Sequence, residues 1–194
     1  MATTPRQRRS DGQRTREILL QAAIGCFADH GIDGVGIRAI ASRAGTDPAL
    51  VSRYFGSKEG LFGAALDKVY DEHRQGFIRI VTATPSERLG RALAEVAMSS
   101  DSSETAFRFF LRATLSPTTV ALVTEHVIAP GEALLTDNLQ GDDRVERARA
   151  IVSLMIGAAT TLTLSTLPSI PRDRYIEILE AALQTVIDAS PIDA

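Results

Sequence analysis

Apolar residues recur along most of the chain at the three- and four-residue spacing of an amphipathic helix. In residues 11–30 they form two neighbouring stripes: Ile18, Ala22 and Cys26, and beside them Leu19, Ala23 and Phe27. His30 stands where a cation suits the end of a helix, and Gly31 can adopt the left-handed conformation that ends it. The pattern predicts a first helix over residues 11–30, with Cys26 as a small buried apolar residue.

Two short helices joined by a tight turn are predicted next. The apolar residues of 37–44 fall on one helical face, and Gly45 permits a left-handed turn. Asp47 and Pro48 suit the N-cap and the first position of a following helix. This is the helix-turn-helix pattern, in which the second helix enters the DNA major groove. An ordinary helical hairpin has the same spacing, so spacing alone leaves both interpretations open.

Prolines, glycines and capping residues divide the rest of the chain into further helices. We expect them over 57–80, from a capping box at Thr84–Glu87 with Pro85 at N1 to about residue 99, from Ser102 or Ser103 onward, from Ser116 to before Pro130, over 131–138, from Asp142 through Leu167, and from Pro171 onward.

The composition also favours helices over strands. Of the 194 residues, 44% are apolar but only 5% are aromatic, and there is no Trp. The single cysteine excludes an intramolecular disulfide framework and a cysteine-rich zinc site. No targeting peptide is visible at the start of the sequence, so we expect a cytoplasmic protein.

Charge is distributed unevenly along the chain. The net charge is -3, yet residues 1–60 hold nine Lys and Arg against six Asp and Glu. Within the first sixteen positions, one acidic residue, Asp11, faces five basic ones: Arg6, Arg8, Arg9, Arg14 and Arg16. A basic end on an acidic body suits contact with a polyanion. The alternative is a solvated, disordered tail over residues 1–10.

Catalytic motifs are absent from the sequence. It contains no nucleophile elbow, phosphate-binding loop or paired-histidine zinc motif. The three histidines, His30, His73 and His126, do not have the spacing of metal ligands. We therefore expect no enzymatic activity, no cofactor and no metal.

Residues 150–171 form a run of 22 residues without a charge. Its length would allow a membrane span. However, the run holds seven Ser and Thr, one Gly and two Pro, and a helix that is apolar nearly all round is more often buried between other helices. We therefore predict no contact with a membrane and favour a helix-packing surface.

Several spaced sequence elements resemble the TetR family of bacterial transcriptional regulators. In order along the chain these elements are Thr15-Arg16-Glu17-Ile18-Leu19, Ala22-Ala23, Phe27-Ala28, His30-Gly31, Arg38-Ala39-Ile40-Ala41, Ala44-Gly45 and Arg53-Tyr54-Phe55-Gly56-Ser57-Lys58-Glu59-Gly60-Leu61-Phe62. The resemblance is specific over about residues 14–66. Beyond them it rests on length and helix pattern.

The resemblance implies an all-α fold in which a three-helix DNA-binding head precedes a domain of about six helices. It divides the chain into a basic, disordered arm over residues 1–10, a helix-turn-helix domain over 11–56, and a helical effector-binding and dimerisation domain over 57–194. It also implies a homodimer that binds a pseudo-palindromic operator on double-stranded DNA and is released, as a repressor would be, by a small molecule. The scarcity of charge on the helices that would hold this effector favours an apolar or weakly polar compound.

Carried over position by position, the resemblance assigns DNA contacts to ten residues: Arg14, Arg38, Thr46, Pro48, Ala49, Leu50, Ser52, Arg53, Tyr54 and Lys58. Two positions depart from the family pattern. Ser52 stands where an aromatic Tyr is common, and Gly36 replaces a Thr or Ser cap. These departures leave the operator sequence open.

The second domain supplies candidates for an effector pocket and a dimer seam. The pocket candidates are Phe62, Leu66, Tyr70, Phe107, Phe110, Leu111, His126 and Met155. For each of them a plain core position is the competing interpretation. The seam candidates, from the last two long helices, are Ala150, Ser153, Leu154, Gly157, Ala158, Thr161, Tyr175, Ile178, Leu179, Ala182, Leu183 and Val186.

A different function class stays open on the sequence. A helical protein-binding module could keep the helical hairpin without binding specific DNA. Such a module would tolerate alanine at Arg38, Arg53 and Lys58 without losing its partner, whereas a DNA-binding protein would lose affinity at each.

Overall fold

The structure is a computed structural model that describes residues 5–98, 104–164 and 171–189; within them, the side chains of 5–10, 72, 104–107 and 162–164 are left undescribed. Every regular element of these ranges is a helix. The order is α1 (Pro5–His30), α2 (Ile37–Arg43), α3 (Ala49–Phe55), α4 (Lys58–Ala83), α5 (Ser86–Ala97), α6 (Glu104–Leu115), α7 (Val120–Val123), a π-helical turn (Thr124–Ile128), α8 (Ala129–Asn138), α9 (Arg144–Leu164) and α10 (Arg172–Ile187).

The chain divides into two compact units. The first comprises residues 1–71 and 102–126, and the second comprises residues 72–101 and 127–194. Helix α4 belongs to both, and α6 and α7 belong to the unit that holds the helix-turn-helix. The functional boundaries at residues 10 and 56 follow the family resemblance rather than compactness, and they stay predictions.

The core of the first unit is built around aromatic rings. Phe27 of α1 meets Phe62 of α4 edge-on with ring centroids 5.1 Å apart, and Phe62 stacks on Phe109 of α6 at 4.9 Å. Of the two stripes predicted on α1, the one with Leu19 and Phe27 is buried, whereas Ile18 is 42% exposed. Cys26 is buried as predicted, and Leu20, Ile24 and Ala28 are buried as well, so the buried face of α1 is shifted round the helix away from Ile18.

The core of the second unit forms where α10 crosses α5. The backbone N–H of Gly90 donates to Gln184 Oε1 at 2.9 Å, and the close approach buries Leu93 and Leu183 completely. Arg147 of α9 is 8% exposed and is satisfied by the Asp143 carboxylate and the Ile187 carbonyl, both at 2.8 Å, and by the Gln140 carbonyl.

Three predicted boundaries need correction. The backbone of α1 begins at Pro5, six residues before the predicted start at Asp11. Thr84 does not cap α5, whose N-cap is Pro85 with no side-chain cap hydrogen bond. Pro130 does not end a helix; it lies in the first turn of α8, which tolerates proline because the N–H groups there have no helical acceptor.

The uncharged run was predicted to continue a helix through Leu167. Helix α9 is described to Leu164, and residues 165–170 lie outside the description. Across the described ranges, no helix has both the length and the apolar character that crossing a membrane requires.

Candidate nucleic-acid interface

A left-handed residue makes the turn between α2 and α3. Gly45 has a φ of +63°, which a residue with a Cβ adopts only at a cost. The Thr46 N–H donates to the Ala41 carbonyl at 2.9 Å, and the Gly45 N–H donates to the Ser42 carbonyl at 3.0 Å. This pair of bonds is the Schellman motif, which satisfies the last carbonyls of α2 and reverses the chain.

The start of α3 is held by a carboxylate. Asp47 Oδ1 accepts a hydrogen bond from the Ala49 backbone N–H at 2.8 Å, as a capping residue does. The regular helix begins at Ala49, one residue later than predicted, and Pro48 before it already has helical φ and ψ of -54° and -30°. Capping by Asp47 is confirmed, and it sets the direction in which α3 leaves the turn.

Helix α3 has a buried side and an open side. Val51 is completely buried, while Leu50 and Tyr54 are half-buried. Four of the predicted DNA-contacting residues are exposed: Pro48, Ala49, Ser52 and Arg53. Ala49, Ser52 and Arg53 recur at the three- and four-residue spacing of one helical face, so small side chains and a single cation form the open side of α3.

Three arginines of the head are accessible for contact with an anion. Arg14, Arg38 and Arg53 are exposed, and no carboxylate of the described residues lies within ion-pair distance of them. Arg53 instead lies against the Tyr54 ring, 5.9 Å from its centre.

Two acidic groups of the same unit are already engaged by other side chains. Asp29 is contacted by Arg43 at 3.4 Å and by Arg108 at 3.6 Å. Asp33 accepts hydrogen bonds from the hydroxyls of Ser116 at 2.7 Å and Thr118 at 3.1 Å. Asp29 and Asp33 are thus held within the unit, whereas Asp47, at the start of α3, is exposed.

Lys58, another predicted DNA contact, is less exposed than Arg14, Arg38 and Arg53. It is half-buried, and its Nζ donates to the Val35 carbonyl at 3.1 Å. Beside it, Ser57 Oγ accepts from the Gly60 N–H at 3.0 Å and caps α4. Lys58 therefore connects the start of α4 to the loop between α1 and α2.

Two arginines outside the ten predicted DNA contacts have partners within the head. Arg16 stacks over the Phe55 ring, 4.8 Å from its centre. Arg43 lies across α1, with Nη1 3.8 Å from Cys26 Sγ, and a Cβ at Gly25 would come within 2.9 Å of its Nη2. Both contacts join residues that are far apart in the sequence, so no local pattern of residue types predicts them.

The predicted effector-pocket residues are divided between the two units. Phe62 and Leu66 are fully buried in the first core, and Phe110 meets Tyr70 edge-on at 5.9 Å. Burial raises the pKa of Tyr70 well above its ordinary value, so this phenol is neutral. Leu111 is half-buried beside them, Met155 packs in the second unit, and the side chain of Phe107 lies outside the description.

His126, the last of the pocket candidates, has a polar partner. Its Nδ1 lies 2.9 Å from Asp67 Oδ1, and its imidazole is 27% exposed. It sits in the π-helical turn, a geometry that often marks functional sites. Among the described residues, no group of three His, Cys, Asp or Glu side chains could hold a metal ion.

The predicted seam residues separate by burial. Ser153, Gly157, Thr161, Ile178 and Ala182 are exposed, and Ala150, Leu154, Tyr175 and Val186 are half-buried. Ala158, Leu179 and Leu183 lie in the core of their own unit. For these last three a seam position is wrong, because neighbours within the same chain already cover them.

Comparison with protein families identifies the chain. Residues 19–65 match the family of bacterial regulatory proteins of the tetR type, and residues 87–187 match the tetracyclin repressor-like C-terminal domain. The chain belongs to the TetR family. The resemblance seen in the sequence is thereby confirmed, and the all-helical fold of this TetR-family protein agrees with it.

Similar proteins of known role are transcriptional regulators. The chain is 56% identical over 54 residues to the regulatory protein RaaS of Mycobacterium tuberculosis, covering 28% of this chain and 25% of RaaS. It is 33% identical over 89 residues to the transcriptional repressor NicS of Pseudomonas putida, covering 45% of this chain and 42% of NicS. The chain thus spans less than half the length of these two relatives.

Solved structures show the same fold. The multidrug binding protein EbrR, solved with malachite green, superposes with a TM-score of 0.67 at 24% identity, covering 90% of this chain and 98% of EbrR. At 24% identity, the superposition shows that this TetR-family protein shares its fold with EbrR and carries no further conclusion.

Proposed function

We propose that this TetR-family protein is a DNA-binding transcriptional repressor that reads a pseudo-palindromic operator as a homodimer and is released by a small apolar effector. The observation that carries the proposal is the open side of α3. Its exposed Ala49, Ser52 and Arg53 stand over a buried Val51, on a helix fixed by the Gly45 turn and the Asp47 cap.

The chemistry of that side suits the major groove. Arg53 presents a guanidinium that can bond the O6 and N7 atoms of guanine, and Ala49 can contact a thymine methyl group. Arg14 and Arg38, exposed and without carboxylate partners in the described structure, suit phosphates on either side. Thr46, Pro48, Leu50, Ser52 and Tyr54 complete the proposed surface, and Lys58 contributes by fixing the start of α4.

A homodimer follows from the exposed residues of the last two long helices. Gly157 has no atom within 4 Å of the position of a Cβ, and Ile178 is 54% exposed. Small residues allow a helix of a second copy to approach closely, and an exposed Ile gains from burial. Two heads related by twofold symmetry would read two half-sites of a pseudo-palindrome.

We infer an apolar effector because most of the candidate residues for the effector pocket are apolar. Tyr70, Phe110 and Leu111 offer ring and aliphatic surface, and the His126–Asp67 pair supplies a polar group of the same unit. EbrR, which shares the fold, is a multidrug binding protein solved with malachite green.

Alanine variants of Arg38 and Arg53 test the DNA-binding role. Each is expected to weaken binding to an operator selected from random DNA, and Arg53→Ala to relax base preference by about 1–3 kcal/mol at one position. Arg174→Ala, an exposed arginine outside the head, is the matched control. Unchanged DNA binding by both head variants would favour the protein-binding module instead.

A further inference from the structure

The arginine at the end of α2 lies across α1. Arg43 is the last residue of α2, and its guanidinium rests against the backbone of α1 at Gly25. A Cβ on Gly25 would stand 2.9 Å from Arg43 Nη2 and 3.2 Å from its Cζ, which is too close for a carbon atom. The guanidinium therefore occupies the space that a side chain at position 25 would need.

Two side chains of α1 accept hydrogen bonds from this guanidinium. Arg43 Nη1 donates to Cys26 Sγ at 3.8 Å and to Asp29 Oδ2 at 3.4 Å. The other carboxylate oxygen of Asp29 is contacted by Arg108 of α6 at 3.6 Å. Gly25, Cys26 and Asp29, which we term the Arg43 seat, thus hold one cation of α2, and α6 holds the carboxylate of the seat from a second direction.

The glycine of the seat serves this close approach. Gly25 lies in the interior of α1, where glycine is less favourable than alanine because it leaves the unfolded chain more freedom. The three atoms nearest to its Cβ position all belong to Arg43. The contact with Arg43 is what an alanine at position 25 would disturb.

The seat holds one side of α2 while the core holds the other. Ile40 and Ala41 are completely buried, and the carbonyl of Ala41 accepts the Thr46 N–H in the turn before α3. Arg43 stands two residues before Gly45, where the left-handed φ reverses the chain. Because both sides of α2 are held, the turn leaves α2 in one direction and places α3 accordingly.

We propose that Arg43 is a positioning residue for operator binding, which fixes α2 on α1 so that the turn presents α3 in the orientation that reads a half-site. This inference rests on the proposed function. Arg43 acts through α1, whereas the exposed arginines of the proposed interface act on the duplex itself. A change in the orientation of α3 alters base contacts, which carry sequence preference, more than phosphate contacts, which carry none.

Two variants empty the seat in different ways. Gly25→Ala places a methyl group where the guanidinium lies; the flexible Arg43 side chain then turns away, and its charge is kept. Arg43→Met removes the charge and keeps an unbranched side chain. The matched controls are Gly76→Ala in α4, where the nearest atom to the Cβ position is Arg79 Nη2 at 3.9 Å, and Arg88→Met at an exposed position of the second unit.

Fluorescence anisotropy measures the affinity of each protein for the selected operator and for a scrambled duplex, between about 50 and 200 mM KCl. Thermal midpoints by circular dichroism check that the variants fold. Both seat variants should bind the operator about two- to fivefold more weakly, as expected for loss of a partly exposed ion pair. Their affinity for scrambled DNA and the salt slope should not change, and neither control should lose operator affinity.

The double variant Gly25→Ala, Arg43→Met should bind the operator no more weakly than either single variant, because each change alone already empties the seat. Wild-type operator affinity in Gly25→Ala would overturn the inference. An equal loss on both duplexes in Arg43→Met, with a shallower salt slope, would also overturn it and make Arg43 a direct phosphate contact.

A wild-type protein that binds operator and scrambled DNA equally would refute the proposed function, and the positioning role with it. The results that overturn the positioning role alone leave the operator preference of the wild type intact. The two failures are therefore distinguishable.

Discussion

The Nζ of Lys58 donates a hydrogen bond to the carbonyl oxygen of Val35, 3.1 Å away. The bond joins the first residue of α4 to the loop that leads into α2, across 22 intervening residues. The family resemblance assigns Lys58 to DNA contact. The hydrogen bond also gives this lysine a structural role within the head. The position of the helix-turn-helix relative to α4 thus depends on a side chain as well as on the core.

Lys58→Met should therefore lower stability, because the carbonyl of Val35 loses its charged donor while the aliphatic stem remains. We expect a loss of about 1 kcal/mol in the free energy of unfolding, measured by urea denaturation. Lys68→Met is the matched control, since its ion pair with Glu17 is exposed on both sides and such pairs contribute little. Equal losses in the two variants would contradict the role of Lys58.

Asp47→Ala should destabilise the protein by about 1 kcal/mol through loss of the cap on α3. Asp47→Asn keeps an acceptor for the Ala49 N–H and should retain most of the stability. Urea denaturation of the three proteins measures the difference. If Asp47→Ala unfolds at the same urea concentration as the wild type, the 2.8 Å bond contributes nothing.

The ionisation of Asp33 makes the stability of the folded protein depend on pH. The hydroxyls of Ser116 and then Thr118 hold the pKa of Asp33 below its ordinary value. A carboxylate with a depressed folded-state pKa stabilises the fold above its unfolded pKa, about 3.9, and loses that contribution as the pH falls through the folded pKa.

The wild type should thus exceed Asp33→Asn in urea midpoint at pH 7, and the gap should close as the pH falls below about 4. Urea denaturation from pH 7 to pH 3 tests this. Because Asp33 is exposed, we expect a small gap. A gap that stays constant over the whole range would mean that the Asp33 carboxylate does not contribute through these hydrogen bonds.

Much of the fold was predictable because local chemistry sets helix ends. Gly31 and Gly45 do end α1 and α2 in the left-handed conformation, with φ of +68° and +63°. Pro171 does precede α10 as its N-cap. Each of these signals acts through its own backbone, so a pattern of residue types captures it.

The errors arose where distant parts of the chain decide. Leu179 and Leu183 belong to an apolar stripe, but a stripe does not tell whether its own chain or a second copy covers it. The Lys58–Val35 bond and the contact of Arg16 with Phe55 join residues far apart in sequence. A helix was predicted to end before Pro130, but the chain stays helical through this residue. The π-helical turn before Pro130 adds a residue to the helical ladder, which the pattern of residue types does not show.

Gly90→Ala should be strongly destabilising. Its Cβ would lie 2.7 Å from Gln184 Oε1 and 2.9 Å from the Gln184 backbone nitrogen, which cannot move without shifting α10. We expect a loss of about 1–3 kcal/mol. Gly76→Ala in α4 is the control, since the nearest atom to its Cβ position is Arg79 Nη2 at 3.9 Å, and alanine gains about 0.5–1 kcal/mol in a helix interior. A harmless Gly90→Ala would contradict the close crossing of α5 and α10.

Gly157→Leu tests the proposed dimer. The side chain has open space within the protomer, so the fold should be retained, whereas a partner helix packed closely against Gly157 would be pushed away. Sedimentation equilibrium should show a dimer for the wild type and a monomer, or a far weaker dimer, for the variant. A variant dimer of wild-type affinity would place Gly157 outside the seam, and a monomeric wild type at micromolar concentration would remove the dimer altogether.

Selection of bound duplexes from random DNA tests the central claim most directly. Sequencing of the bound pool, followed by salt titration of the enriched duplex, reports both specificity and phosphate contacts. We predict a pseudo-palindrome whose half-sites are separated by about one helical turn, or about 34 Å, bound far more tightly than scrambled DNA. A pool without enrichment, together with binding that disappears by about 0.2 M salt, would contradict operator reading by α3.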